Sequence, residues 1–177
     1  MAGFVPAAAI VRRAHAAAVA ELAAAPETLD ALGQAVLPSE LGDPQIRRVV
    51  AAFRRWLDDY REGAELVHAY GSSRLSLAGP TPATRFATQL DGLESAARTA
   101  HGRSFSALTV DERRGIVRSA VASERGTGLP SADRAAHVVT GLLGFFYATP
   151  QATDLCYLAT IGRNTCRPLA AVSRRPA

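Results

Sequence analysis

Four histidines, two cysteines and two pairs of adjacent acids are the side chains of this 177-residue sequence best equipped for chemistry. His15, His68, His101 and His137 could bind a metal or move protons, yet they stand far apart, with no pair at helix-ligand spacing and no HExxH. Isolated surface or helix-end histidines are the simpler reading. Asp58-Asp59 and Asp111-Glu112 could supply general acid–base chemistry if a pocket raised one pKa. Neighbouring arginines and a helix N-terminus account for both pairs without catalysis. Nucleophilic catalysis finds little support either, because no serine sits in a GxSxG elbow and Cys156 has no basic neighbour in sequence. Cys156 and Cys166 are too few for a disulfide scaffold; they could join each other, tether a partner or remain free thiols. Walker and dinucleotide glycine fingerprints and a CxxCH haem motif are all missing. The sequence therefore predicts no cofactor and no metal in this chain, and no enzyme.

The large aromatic residues point to a different use. Phe145, Phe146 and Tyr147 run consecutively, so on a helix they point in three directions and cannot all enter one modest core. At least one is expected to face a partner, as aromatic residues commonly anchor interfaces. Tyr157, Arg163 and Arg167, in a weakly patterned C-terminal stretch, are further interface candidates.

Helices must position these residues, since β-branched runs are short and no alternating pattern reads as a strand. Pro6 can open a helix to about Ala24, and Pro26 a second that ends before Pro38. Asp43-Pro44 starts a long amphipathic helix carrying Ile46, Val49, Val50, Phe53, Trp56, Leu57, Tyr60 and Val67. Another helix begins at Thr81-Pro82, buries Phe86, Leu90, Leu93 and Ala97, and is closed by Gly102. Thr109-Val110-Asp111-Glu112 is a capping box for a helix burying Ile116, Val117, Ala120 and Val121. Ser131 caps the last long helix, in which Ala135, Val138, Val139, Leu142 and Phe146 can face the core and Gly141 and Gly144 predict close packing on one side. A short helix is expected from Asp154 to Thr160. The fold expected is all-α: one multi-helix domain over 1–177, with an N-terminal helix in 1–25 and an irregular docking tail in 150–177.

Composition narrows the partners. All 20 basic residues are arginine, and the net charge is +4. The arginines are spread along the chain beside acids, as in Arg54-Arg55 four residues before Asp58-Asp59, the spacing of helical ion pairs. A solvated helix face is favoured over nucleic-acid binding. No apolar run is long enough to span a membrane, so no direct insertion is expected. Arg12-Arg13 could belong to a twin-arginine export signal, but Glu21 interrupts the alanine stretch that follows. A cytoplasmic location is expected, with twin-arginine export alongside a partner as the alternative.

In residues about 27 to 168 the order of features resembles the gluconate 2-dehydrogenase subunit 3 family, the small or gamma subunits of flavin-dependent sugar dehydrogenases. The resemblance rests on Leu29 to Pro38, on Gly102 to Thr109 followed by Asp111-Glu112-Arg113, and on Phe145 to Pro150. It implies a non-catalytic accessory subunit that binds, stabilises or escorts a large FAD-dependent subunit of the glucose–methanol–choline class acting on sugars or their derivatives. FAD would then reside in the partner, and Phe105, Leu108, Phe145, Phe146, Tyr147, Tyr157, Arg163 and Arg167 would form the interface, with Cys156 and Cys166 as a disulfide or tether. The family's frequent twin-arginine signal is where this sequence departs. Two other functions compete: a helical DNA-binding regulator reading bases with Arg113, Arg114 and Arg118, and a small self-sufficient helical enzyme.

Overall fold

Proline marks both limits of the first described helix of the chain, whose computed structural model describes residues 26–65, 77–124 and 128–157. Helix α1 runs Pro26–Val36, with Glu27 in its first turn where the helix dipole favours an acid, and stops ahead of Pro38. Leu29, Ala31, Leu32, Gly33 and Ala35 are all buried, because α1 packs on its three successors α2 (Asp43–Asp58), α3 (Ala83–His101) and α4 (Val110–Ala120). Two more helices follow, α5 (Val138–Tyr147) and α6 (Pro150–Tyr157), and short 3-10 turns occupy Ser39–Leu41 and Phe105–Ala107. The described residues are thus all-α, as the sequence predicts, with a lone antiparallel bridge from Glu65 to Leu77. The expected 1–25 helix lies outside the described residues.

Helix α2 presents one apolar stripe, Ile46, Val49, Val50, Phe53 and Leu57, to the core. Gly33 lets α1 come close, for a Cβ there would lie 2.5 Å from Val50 Cγ2. The cap is Gly42 at φ 70°, and Asp43 stands in the first turn beside Pro44. The helix ends at Asp58 and does not continue through Tyr60 as expected; Val67 lies outside the described residues. Gly63 takes φ 77°, a left-handed conformation open to glycine, and its N–H turns to the Ala78 carbonyl at 2.8 Å. Arg54 also departs from the expected ion pair with Asp58; its Nη2 donates to the Pro26 carbonyl at 2.5 Å and lies 3.4 Å from Asp30.

The local signals for α3 and α4 hold. Gly102 closes α3 in the left-handed region at φ 66°, its N–H bonded to the Arg98 carbonyl. The capping box opens α4: Thr109 N–H donates to Glu112 Oε2 at 2.8 Å, and Glu112 N–H to Thr109 Oγ1 at 3.4 Å. That helix finishes at Ala120, so Ala120 is exposed and Val121 half-buried, against the expectation that both are core.

Helix α5 starts at Val138, six residues later than a cap at Ser131 would have placed it. Side chains of α3 hold the preceding segment out of the helix: Arg85 Nη2 donates to Ala135 O at 2.7 Å and Gln89 Nε2 to Ala136 O at 2.9 Å. Gln89 Oε1 then accepts the Val138 N–H at 2.8 Å. The α5 glycines do permit close approach, since a Cβ at 141 would stand 2.6 Å from Phe86 Cζ and one at 144 would collide with the Pro130 carbonyl. Phe145 joins an aromatic cluster, its ring 5.5 Å from Phe53 and 5.9 Å from Trp56. Phe53, Phe86 and Phe105 have no exposed surface, and each contributes about 1.5–3 kcal/mol through burial.

The chain divides into two units between Phe145 and Phe146. In the second, the Thr149 hydroxyl donates to the Phe146 carbonyl at 2.6 Å and accepts the Ala152 N–H at 3.3 Å, capping α6. The short helix expected from Asp154 therefore begins four residues earlier, at Pro150.

Candidate functional site

Exposed glycine and alanine on α3 help to form a concave surface in the first unit. Gly92, Ala96 and Ala100 recur at four-residue steps on an exposed face of α3 that flanks the buried stripe of Phe86, Leu90, Leu93 and Ala97. Gly115 and Ser119 do the same on α4. With no long side chain on either row, an open groove of about 820 Å³ runs between the helices, and Leu93 and Ile116 also line it. A Cβ added at Gly92 or Gly115 would meet nothing within 4 Å.

Titratable groups stand along this groove. Glu112 receives two hydrogen bonds from Thr109, a third from Arg103 Nη2 at 2.8 Å, and has His101 Nδ1 3.6 Å away. The Thr109 backbone bond, then its hydroxyl, Arg103 and His101, hold the Glu112 carboxyl below its ordinary range. It is a fixed carboxylate, suited to capping α4 and unsuited to giving up a proton near neutrality. His137, half-buried, lines the same groove, and burial pulls its pKa down. The structure thus brings His101 and His137 to one surface, which their separation in sequence conceals. Among the described residues no three His, Cys, Asp or Glu side chains gather as metal ligands.

Of the arginines of α4, Arg113 is buried, while Arg114 and Arg118 are exposed. Arg113 is 8% exposed, and its guanidinium donates to Phe105 O at 3.1 Å, Ser106 O at 2.6 Å and Gln34 Oε1 at 2.8 Å. Arg114 Nε donates to Ala35 O at 3.0 Å. With Arg118 Nε on the Arg114 carbonyl at 3.2 Å, all three arginines a base-reading helix would need donate to carbonyls of the chain itself.

The aromatic candidates separate into core and surface. Phe105 and Leu108 are buried in the first unit, which corrects the expectation that they present themselves to a partner; Phe146 is buried too, in keeping with its place on the core face of its helix and against its place among the interface candidates. Phe145 is half-buried in the aromatic cluster of Phe53 and Trp56. Tyr147 is 48% and Tyr157 69% exposed, and Cys156 is an exposed free thiol. Arg163, Arg167 and Cys166 lie outside the described residues. The small-residue rows were legible in principle as exposed four-residue repeats, whereas the inward turn of Arg113 depends on a 3-10 turn that no local pattern announces.

No family model, curated protein or solved structure matches the chain. No helix among the described residues is long and apolar enough to cross a membrane.

Proposed function

We propose that this chain is a non-catalytic docking subunit whose α3–α4 groove seats a helix of a larger protein. The observation that carries the reading is the groove floor: two rows of small side chains at four-residue steps, extending along α3 from Thr88 to His101, roughly 20 Å at 1.5 Å per residue. Helices pack by laying the ridge of one into the groove of another at an interaxial distance of about 8–10 Å, and small residues permit the near end of that range. A long shallow floor of this kind suits a partner helix better than a compact ligand.

The sequence resemblance supplies the partner's class: a large FAD-dependent subunit of the glucose–methanol–choline type, acting on sugars or their derivatives. In this reading FAD and the chemistry belong to the partner, and this chain stabilises it, with exposed Tyr147 and Tyr157 as further contacts.

The test is purification of the tagged chain from its native host, followed by visible absorbance and mass spectrometry, in parallel with Ala96→Trp. Ala96 is exposed, so tryptophan there fills the groove without entering the core. The expected result is a yellow complex with a larger flavoprotein, weakened at least roughly tenfold by the substitution, equivalent to about 1.4 kcal/mol. A colourless chain without a flavoprotein overturns the partner's class. A folded Ala96→Trp that assembles like the wild type overturns the groove as the docking surface.

A further inference from the structure

Histidine is an unusual residue to find capping a helix. His137 precedes Val138, the first residue of α5, and its carbonyl accepts the Gly141 N–H at 2.8 Å and the Thr140 hydroxyl at 2.9 Å. Its ring Nδ1 accepts the Val139 N–H at 3.2 Å. That bond satisfies a donor at the helix start that has no partner within the helix, the task normally done by the oxygen of Ser, Thr, Asp or Asn. An imidazole can do it only while Nδ1 is unprotonated, with the ring proton on Nε2; an imidazolium has two donors and no acceptor.

We propose that His137 is a pH-responsive cap, whose protonation breaks the bond to Val139, loosens the first turn of α5 and shifts the wall of the groove that His137 lines. This adds a regulatory device to the proposed function, and the cap operates whether or not the groove holds a helix.

The surroundings of the ring favour its neutral form. Burial holds its pKa below the ordinary 6.5, against a smaller upward pull from Glu124 in the turn after α4. The positive end of α5 acts in the same direction as burial. From α3 come Gln89, engaged with Ala136 O and the Val138 N–H, and Arg85, which donates to Ala135 O. The preceding turn carries Asp133 and Arg134, 3.9 Å apart, and along the groove stands His101 with Glu112. Glu124 is therefore the one described acid whose charge draws a proton to the ring. Because the folded-state pKa is depressed, the unfolded chain binds the proton more readily. The stability from this group is complete above about 6.5 and falls as pH drops through that value toward the folded pKa.

NMR on the full chain tests the cap in two ways. Ring nitrogen shifts of the wild type above its pKa are expected to show the proton on Nε2, and amide-exchange protection of Val139 is expected to fall roughly fivefold as the ring titrates, the size of a lost N-cap. His137→Asn keeps an acceptor that does not titrate, so its Val139 protection should stay level over the same pH range. A proton on Nδ1 at neutral pH, or Val139 protection that ignores the ring's titration, overturns the proposal. So does a His137→Asn chain that keeps the wild-type pH step.

Discussion

Replacing Arg113 by methionine removes a buried guanidinium and leaves three acceptors behind: the carbonyls of Phe105 and Ser106 and the side-chain oxygen of Gln34. None of the three is a carboxylate, so the cation is held entirely by neutral dipoles, which tie α4 to the 3-10 turn and to α1. Bonds from a charged donor contribute about 1.5–3 kcal/mol each; at the low end the three sum to about 4.5 kcal/mol. Methionine puts apolar atoms where the guanidinium stood and returns about 1–1.5 kcal/mol. The expected loss is about 3 kcal/mol, a large part of the stability of a domain this size. Urea unfolding followed by far-ultraviolet circular dichroism measures it, provided the slope with denaturant stays at the wild-type value. Arg113→Lys sharpens the test, because lysine keeps the charge but concentrates its donors on one nitrogen and cannot reach three acceptors on different segments. It should be no more stable than Arg113→Met. A methionine variant within about 1 kcal/mol of wild type, or a lysine variant indistinguishable from it, would refute the claim that the planar fork is what holds this junction.

Two glycines on neighbouring helices should respond in opposite directions. Gly141→Ala forces a methyl against the Phe86 ring and should cost about 1–2 kcal/mol net of its better helix propensity. Gly92→Ala meets nothing within 4 Å and should gain about 0.5–1 kcal/mol; a gain at 141 in thermal or urea unfolding would show that α5 has room to shift. Glu112→Gln removes a carboxyl whose folded pKa lies below the ordinary 4.5. The wild type's contribution from this group is present above that value and lost as pH falls through the folded pKa, so the variant's acid unfolding limb should be flatter. An unchanged acid limb would mean that Glu112 caps α4 without stabilising the fold.

What could be read in advance was what local chemistry decides. Gly102 and the Thr109–Glu112 box each act within four residues, and α3 and α4 end and begin where those residues require. Gly141 and Gly144 announced close packing because a mid-helix glycine otherwise only destabilises. The misplaced boundaries were set from a distance. Ser131 has the chemistry of a cap, but Arg85 and Gln89, on another helix, take the carbonyls of Ala135 and Ala136 and postpone α5 to Val138. The periodicity beyond Asp58 was real, yet Gly63 pairs with Ala78 and diverts the chain. The aromatic candidates failed for a related reason: sequence shows that Phe105 and Leu108 are large and apolar, and only the packed helices decide that they face inward.

The absence of lysine acquires a structural sense from these same contacts. Arg54 donates to the carbonyl of Pro26, Arg85 to Ala135, Arg103 to Ala107, Arg113 to Phe105 and Ser106, and Arg114 to Ala35. Apart from the Pro26 carbonyl at the start of α1, these acceptors lie in 3-10 turns, in the segment before α5 or in the last turn of α1, where carbonyls lack partners within a helix. Alanine-rich helices bury little area per residue, so the junctions between them need directional bonds to fix their geometry. A guanidinium suits that need: it has five donors in a plane, is less strongly hydrated than an ammonium, and can hold one acceptor while reaching for a second. Arg113 does this across two segments, and Arg103 joins Ala107 to the capping carboxylate of Glu112. These five arginines of the described residues are therefore directed at the chain's own backbone, and to that extent a net charge of +4 carries less implication of a polyanionic partner than the composition alone conveys.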